Sequence, residues 1–241
     1  MFKAQEQALV IVNTPAHNPT GYTLSEEDWD KLISVVNKFP KKKVVILIDI
    51  AYLDFAGDAK EYRQFFKKLE NPPANMLPLI AFSASKGYTM YGMRLGALIC
   101  MAPTEEAAKE FKDVMSVECR GSWSNGNRAA MTVLADIMKN ENLFRSVNDE
   151  RKVYMDLLKR RGKAFMEAAA SAGLETCPYD SGFFITIPCT KAEEVSEELQ
   201  KDNVYVVTLG QGIRVSVSSN TEKECGIMPA KIKAAMQRCG L

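Results

Sequence analysis

The chain has 241 residues, of which 46% are hydrophobic and 25% are charged, values typical of a globular protein. Its 31 basic and 30 acidic side chains leave a net charge of +1, so the charge balance gives no case for binding nucleic acid or an anionic membrane. No apolar run reaches the roughly 18 residues that a membrane helix needs. The first residues, Met1–Glu6, lack the long apolar segment of a secretory signal, so we expect none.

The cysteine pattern argues against a zinc site. No two cysteines have the CxxC spacing, and the only histidine is His17. We therefore expect reduced thiols in a cytoplasmic protein. The six cysteines are Cys100, Cys119, Cys177, Cys189, Cys225 and Cys239.

Apolar runs of strand length alternate with helix-period segments in the first part of the chain. The continuous run Ala8–Val12 predicts a strand that is covered on both faces. Ser25, with Asp28 three residues later, predicts the start of a helix. The apolar face of this helix is formed by Trp29, Leu32, Ile33 and Val36. The run Val44–Ile48 predicts the next buried strand.

The same alternation continues to about residue 115. Residues 62–69 predict a short helix that ends at Asn71-Pro72-Pro73, because proline cannot continue a helix. Leu77–Ser83 and Leu95–Met101 predict two more strands, and Thr104 is expected to cap a helix that runs through Met115. Strands and helices that alternate in this way indicate an α/β layered domain.

The second part of the chain has a different pattern. A single long helix is predicted from about Glu141 to Ala172, and short strands and helices follow it. This part indicates an α+β unit, which we interpret as a second, smaller domain. The strands are predicted near Gly182–Ile187, Val204–Val207 and Gly212–Ser218, and the helices near Ala192–Lys201 and Gly226–Arg238.

Polar segments follow three consecutive predicted strands, at the point where each strand ends. They are Asn13–Gly21, Asp49–Tyr52 and Ser83–Tyr88, the last of which continues to Gly96. In open α/β sheets, ligands bind beyond the carboxyl ends of the strands. The convergence of polar groups at one edge of the sheet therefore predicts a functional site.

Each segment also has a purely structural interpretation. Asn18-Pro19-Thr20-Gly21 alone is a common turn, and Asp49 alone could cap a following helix. Lys86 alone is typical of a solvated surface lysine, and Arg94 alone of an ion-pair partner. The order and spacing of the three segments together are much harder to explain as turns.

The three segments resemble the signature of fold-type I aminotransferases of the aspartate/aromatic group, which depend on pyridoxal 5'-phosphate (PLP). The motifs that carry this resemblance are Asn18-Pro19-Thr20-Gly21, Asp49-x-Ala51-Tyr52 and Ser83-x-Ser85-Lys86, with Arg94 eight residues after the lysine. The resemblance extends to residues 120–125, 181–184 and 214–218, so it covers nearly the whole chain in order.

The resemblance implies two domains with their bounds, and it implies that part of the family's fold is absent. Residues 1–145 would form the C-terminal part of the PLP-binding large domain, a mostly parallel sheet with helices on both faces. Residues 146–241 would form a long linking helix and the small α+β C-terminal domain. In the family, the Asn-Pro-Thr-Gly motif lies near the middle of the chain, so the usual N-terminal half would be absent here. That half supplies the amide cradle for the phosphate and the aromatic ring that stacks on the cofactor, and without it the sheet would expose two edges.

The resemblance also implies the residues that handle the cofactor ring. Lys86 would form a Schiff base with PLP and then carry the proton between the substrate α-carbon and C4′ of the cofactor. Asp49 would pair with the protonated pyridine nitrogen and keep the ring an electron sink. Tyr52 and Asn18 would donate hydrogen bonds to the 3-oxygen of the ring.

The remaining implied residues hold the phosphate and the substrate. Ser83, Ser85 and Arg94 would bind the phosphate, Arg94 through a charge-assisted fork. Arg214 would grip the substrate α-carboxylate. Arg120 matches the position that, in the aspartate type, reaches across the dimer to the distal carboxylate of a substrate; its alternative role is that of a surface or interface arginine.

The leading functional hypothesis is a cytoplasmic, PLP-dependent aminotransferase. It would transfer the amino group of an aspartate-type or aromatic amino acid to a 2-oxo acid, and the complete enzyme would be a homodimer. Without its N-terminal half, the chain is expected to be inactive alone. A PLP-dependent β-lyase of the same fold is the enzymatic alternative, because Lys86, Asp49 and Arg94 serve both reactions. A non-catalytic fragment that binds PLP weakly or not at all is the alternative from a different class.

Overall fold

The computed structural model describes residues 5–241. Residues 1–4, which belong to the segment from which we expect no secretory signal, lie outside the described residues. The chain divides into two compact units: a first unit up to Thr14 and from Leu24 to Arg151, and a second unit of Pro15–Thr23 and Lys152–Leu241. The assignment of residues 1–145 and 146–241 to the two domains of the family stays a prediction.

The first unit is built on a four-stranded sheet in which all four predicted strands are present. The strands are β1 (Gln7–Asn13), β2 (Lys43–Asp49), β3 (Met76–Ser83) and β4 (Gly96–Cys100), in the spatial order β1-β2-β3-β4. The first three run parallel, whereas β4 is antiparallel to β3. The predicted mostly parallel α/β sheet is therefore confirmed.

The core of the first unit lies between this sheet and helix α1 (Glu26–Asn37). Ser25 caps the helix as predicted: its hydroxyl accepts a hydrogen bond from the Asp28 amide, and the Asp28 carboxylate accepts one from the Ser25 amide. Trp29 is buried and stacks on Phe65, with ring centroids 5.2 Å apart. Alternate residues of β2 point into the same core, which the apolar run predicts.

One prediction for β1 is wrong. Leu9 and Ile11 are 55% and 65% exposed, so β1 is covered on one face and not on both. The apolar run indicates cover on two faces, but the described residues supply packing for one face only. Within the described residues, β1 and β4 lie at the two ends of the strand order. That further strands of the family would flank them stays a prediction.

The helices of the first unit follow the predictions in part: the short helix Ala84–Gly87 was not predicted, and the helix that begins at Glu105 runs on to Ser122, beyond the predicted Met115. Residues 59–69 form a short helix and a 3₁₀ helix (Gln64–Leu69) in place of one helix. A helix that we did not predict begins after Asn127, whose side chain accepts a hydrogen bond from the Ala130 amide. The α-helices after α1 are α2 (Ala59–Tyr62), α3 (Ala84–Gly87), α4 (Glu105–Ser122), α5 (Arg128–Lys139) and α6 (Glu141–Ser171), of which α6 belongs to the first unit only up to Arg151. Thr104 caps α4 as predicted.

The second unit contains the predicted α+β arrangement. Its antiparallel sheet has the order β5-β7-β6, and its buried residues include Phe165, Ile187 and Leu199. The elements after α6 are β5 (Phe184–Pro188), α7 (Ala192–Lys201), β6 (Val207–Leu209), β7 (Gly212–Ser216) and α8 (Glu222–Arg238). None of the helices within residues 5–241 is both long and apolar enough to cross a bilayer.

Two elements in the second unit begin three or more residues away from the predicted position. The strand predicted at 204–207 begins only at Val207, because the Val204 amide donates to the Leu199 carbonyl in the turn that ends α7. The last helix begins four residues earlier than predicted, because Thr221 and Glu224 form a capping box.

Candidate active site

The carboxyl ends of β2 and β3 place two of the predicted residues at one edge of the sheet. Asp49 is the last residue of β2 and pairs in register with Asn13 of β1 and Ala81 of β3. Ser83 is the last residue of β3. Because these strands are parallel neighbours, the polar segments that follow them leave the same edge of the sheet, as the sequence predicts.

Asp49 fixes the turn that follows β2. Its carboxylate accepts a hydrogen bond from the Ala51 amide at 3.0 Å, and its carbonyl accepts hydrogen bonds from the Asn13 side chain and the Thr14 amide, each at 3.1 Å. The next element is a 3₁₀ helix (Leu53–Phe55) whose N-cap is the buried Tyr52. Asp49 therefore stabilises a turn and does not cap a helix, which was its structural alternative.

Lys86 lies in α3, a single helical turn directly after β3. The hydroxyl of Ser83 caps the turn by accepting a hydrogen bond from the Ser85 amide at 3.2 Å. The Ala84 amide donates to the Leu95 carbonyl at 3.0 Å, which ties the turn to the chain that enters β4. Lys86 is half-buried.

Tyr91 lies between the two predicted cationic residues and was missed by the sequence analysis as a site residue. The Lys86 ammonium is 4.2 Å from the centroid of the Tyr91 ring, and the Arg94 guanidinium carbon is 5.5 Å from the same centroid. Arg94 also donates to the Tyr91 carbonyl at 2.8 Å. A tyrosine three residues before the arginine was the available signal, because cations commonly lie over aromatic faces.

The backbone of Arg94 adopts the left-handed conformation, with φ 54° and ψ 53°. Thr89 also has a positive φ, of 51°. A residue with a Cβ adopts this conformation at a cost of roughly 1–3 kcal/mol, and such residues cluster at binding sites and active sites. Thr89 and Arg94 both follow Lys86 within eight residues, so this strained conformation supports a functional role for the segment.

Asp54 and Arg151 form a second pair that the sequence analysis did not assign to the site. Arg151 Nη1 lies 3.3 Å from Asp54 Oδ1, and Arg151 Nε donates to the Gly87 carbonyl at 2.8 Å. Arg151 lies within the long helix predicted from about Glu141 to Ala172, now α6. The hydrogen bond between Arg151 and Gly87 joins residues that are 64 positions apart in the chain, so local sequence patterns gave no signal for it.

Asn18 and Arg214 lie together in the second unit. Arg214 extends from β7, and its Nη1 donates to Asn18 Oδ1 at 2.9 Å. Its guanidinium carbon is also 4.2 Å from the centroid of the Phe184 ring. A hydrogen bond and an aromatic face thus orient the guanidinium, whose planar donor fork matches a carboxylate.

The segment that carries Asn18 is held rigidly. Gly21 has a φ of +81°, and a Cβ at this position would lie 2.1 Å from the Tyr179 ring, so no other residue fits without displacement. The His17 ring and the Thr20 hydroxyl are hydrogen-bonded at 2.8 Å. Burial lowers the pKa of His17 below its ordinary value of 6.5 and raises the pKa of Tyr179.

Arg120 is not at a strand end. It lies in the last turn of α4, is exposed, and donates to the Ser124 hydroxyl at 2.8 Å. Both of its interpretations, a substrate-binding residue and a surface or interface arginine, stay predictions.

Residues 2–232 of the chain match the family model of class I and II aminotransferases. The chain belongs to this family. The predicted membership of the PLP-dependent aminotransferases is thereby confirmed.

Curated relatives include aspartate and aromatic aminotransferases. The chain is 31% identical over 165 residues to mitochondrial aspartate aminotransferase P2 of Lupinus angustifolius, a match that covers 66% of this chain and 34% of the relative. It is 30% identical over 168 residues to the aromatic-amino-acid aminotransferase of Pseudomonas aeruginosa, with 69% and 40% covered. The chain therefore spans well under two thirds of each relative.

Solved structures show the same fold. The aminotransferase of Anaerococcus prevotii superposes with a TM-score of 0.90 at 33% identity, over 95% of this chain and 56% of that chain. The aromatic-amino-acid aminotransferase of Burkholderia pseudomallei, described as covalently bound to pyridoxal phosphate, superposes with a TM-score of 0.76 over 96% of this chain and 57% of that one. At 22% identity, this superposition shows only that the two chains share a fold.

Proposed function

We propose that this chain carries the cofactor-attachment and substrate-binding residues of an aspartate- or aromatic-type aminotransferase. Such an enzyme moves the amino group of an amino acid to a 2-oxo acid. One observation carries the proposal: Lys86 occupies a single helical turn directly after β3, while Asp49 ends the neighbouring parallel strand at the same edge of the sheet. An amine and a carboxylate in this relation suit a cofactor that has both an aldehyde and a basic ring nitrogen.

The chemistry of the donor set at this edge fits PLP. Lys86 supplies the amine that attaches the aldehyde, and Asp49 supplies the anion for the ring nitrogen. Ser83 and Ser85 supply hydroxyls, and Arg94 supplies a guanidinium, all suited to a phosphate. When bound, PLP supplies an electron-withdrawing ring that stabilises negative charge at the substrate α-carbon.

Proton transfer at the substrate is assigned to Lys86. Its amine, set free when the substrate amino group takes its place on the cofactor, would remove the proton from the substrate α-carbon and deliver it to the neighbouring cofactor carbon. Tyr52 is buried beside the turn that Asp49 fixes, and its hydroxyl would hydrogen-bond the 3-oxygen of the ring. Asn18 is assigned to the same oxygen by the family resemblance.

Substrate binding is assigned to Arg214. Its guanidinium is already oriented by Asn18 and by the ring of Phe184, so a substrate α-carboxylate would meet a fork that loses little further freedom on binding. Arg120 is proposed for the distal carboxylate of a dicarboxylic substrate, in a homodimer of the complete enzyme.

Alone, the 241-residue chain is proposed to be inactive. It spans about a third to three fifths of its relatives' lengths. By the family resemblance, the residues that would cradle the phosphate and stack on the ring belong to the part outside this span. A cytoplasmic location stays a proposal: relatives with named compartments are cytoplasmic, mitochondrial or chloroplastic, and the free thiols of the six cysteines agree with a reducing compartment.

Chemical trapping tests the proposed role of Lys86. The purified chain is incubated with PLP, reduced with borohydride, digested, and its modified lysines are identified by mass spectrometry. We expect Lys86 to be labelled at low PLP concentrations, ahead of the exposed Lys109. Labelling that is spread evenly over surface lysines would contradict the proposal.

A further inference from the structure

A half-buried ion pair contacts the residue that follows Lys86. Asp54, in the 3₁₀ helix Leu53–Phe55, and Arg151, in α6, have side chains that are only 15% and 12% exposed, and their charged atoms lie 3.3 Å apart. The same Asp54 oxygen also accepts a hydrogen bond from the more exposed Arg63 at 2.9 Å. Arg151 Nε donates to the Gly87 carbonyl at 2.8 Å. This carbonyl is the last of α3, and an arginine that binds it satisfies a group that the helix leaves free.

The packing around Gly87 is tight. A Cβ at this position would lie 2.2 Å from Asp54 Oδ2, so the Asp54 carboxylate lies directly against the main chain of Gly87. The guanidinium carbon of Arg151 is also 4.8 Å from the centroid of the Tyr88 ring. The ion pair therefore contacts both residues that follow Lys86.

The turn itself has few hydrogen bonds. Its closing bonds run from the amides of Tyr88 and Met90 to the Ala84 carbonyl, each at 3.2 Å, and from the Thr89 amide to the Lys86 carbonyl at 3.1 Å. An isolated helical turn is marginal, because its nucleation costs more than one hydrogen bond returns. Contacts from outside the turn must hold it.

Stability of the fold alone does not explain why a charged pair lies at this position. Burying charged groups costs several kcal/mol per ion, and a well-packed apolar pair often stabilises a protein as well. Arg151 even has a buried nitrogen, Nη2, without a hydrogen-bond partner among the described residues. What the charged pair provides, and an apolar pair would not, is a directional hydrogen bond to the Gly87 carbonyl.

We propose that Asp54 and Arg151 are positioning residues that fix the direction in which Lys86 leaves its turn. The inference rests on the proposed function of Lys86 as the cofactor-attachment residue. Arg151 holds the carbonyl at the end of the turn by a hydrogen bond. Asp54 supplies the opposite charge beside Arg151 and packs against Gly87. Neither residue acts on the cofactor directly.

Two measurements on the purified chain test the proposal in Arg151→Gln, with Arg145→Gln as the matched control. Arg145 is an exposed arginine of the same helix. The first measurement is hydrogen exchange of the Tyr88, Thr89 and Met90 amides without cofactor. The second is the ratio of borohydride-trapped PLP at Lys86 to that at Lys109.

The expected result is local. In Arg151→Gln, the three amides should exchange roughly tenfold faster, since a charge-assisted hydrogen bond is lost. Amides of β2 should exchange as in the wild type, and the labelling ratio should fall several-fold. A merely structural role would raise exchange across the first unit and leave the ratio unchanged. Arg145→Gln should change neither measurement.

A second variant keeps the proposal testable if Arg151→Gln does not fold. Arg151→Lys keeps the charge opposite Asp54 but loses the hydrogen bond from Nε to Gly87, so it should show the same local change in a folded chain. Wild-type exchange and a wild-type labelling ratio in either folded variant would overturn the proposal. If the wild type shows no selective labelling at Lys86, the proposed function fails, while the exchange data still decide whether Arg151 holds the turn.

Discussion

The substitution Asp49→Asn separates two contributions of Asp49: the hydrogen bond that stabilises the turn after β2, and the negative charge proposed to pair with the cofactor ring. In the structure, Asp49 Oδ1 accepts a hydrogen bond from the Ala51 amide at 3.0 Å. An asparagine side chain retains an oxygen at this place, so the turn after β2 should keep its hydrogen bond. The negative charge is lost, and with it the proposed partner of the protonated cofactor ring. Asp49→Asn should therefore fold normally and bind PLP poorly.

The expected changes in the free energy of unfolding and in PLP affinity follow from the two interactions assigned to Asp49. A hydrogen bond that is retained with a neutral acceptor should change the free energy of unfolding by less than about 1 kcal/mol. A charge-assisted hydrogen bond to the ring nitrogen is worth about 1.5–3 kcal/mol, so the affinity for PLP should fall roughly 10- to 150-fold. In a complete enzyme the rate should fall further, because an unprotonated ring is a weaker electron sink.

The assay combines an absorbance titration with PLP and urea unfolding of the same preparations. Asp58→Asn is the matched control, since Asp58 also accepts a hydrogen bond from an amide two residues later, that of Lys60, but is exposed and does not end a strand. It should leave the affinity unchanged. If Asp49→Asn bound PLP as tightly as the wild type, Asp49 would only stabilise a turn, and the assignment to the ring nitrogen would be refuted.

Three further predictions concern the second unit and the whole chain. Arg214→Lys keeps the charge but loses the fork and the contact with Phe184, so carboxylate ligands should bind at least about tenfold more weakly by calorimetry; an unchanged affinity would remove Arg214 from the carboxylate site. Burial lowers the pKa of His17 in the folded chain, so the unfolded chain binds the proton more readily. This contribution to stability is fully present above pH 6.5 and should be lost as the pH falls from 6.5 through the lowered pKa of the folded chain. His17→Gln should flatten this part of the pH profile of urea unfolding, and an identical slope in both proteins would contradict the assignment. The purified chain, saturated with PLP, should show no transamination of amino acids with 2-oxoglutarate, and turnover near one per second would refute its proposed inactivity.

Local signals in the sequence were sufficient for most of the elements. The apolar runs of β1 to β4 and the cap residues Ser25 and Thr104 act within a few positions, so their effect can be predicted without the fold. The start of α5 had such a signal in Asn127, and the start of α8 had one in the Thr221 capping box. Both could have been predicted from the same rules.

Non-local contacts were not predictable in this way. The exposure of Ile11 depends on which faces of the sheet receive packing, and an apolar run does not contain this information. The contact of Arg214 with Asn18 spans 196 positions, and that of Arg151 with Gly87 spans 64. The motifs identified the strand-end residues because a parallel sheet brings its carboxyl ends to one edge whatever the loops between them do.

The segment Pro15–Thr23 is adjacent in sequence to a strand of the first unit but packs in the second. It directly follows β1, yet it belongs to the second unit. There the Thr186 hydroxyl donates to the Pro19 carbonyl at 2.8 Å, and Gly21 lies against the ring of Tyr179. The asparagine of the Asn-Pro-Thr-Gly motif is therefore positioned by the same sheet that positions Arg214. A substitution that disturbs Gly21 should act first on the orientation of the Arg214 guanidinium, the group proposed to bind a carboxylate, because the Asn18 side chain accepts a hydrogen bond from it.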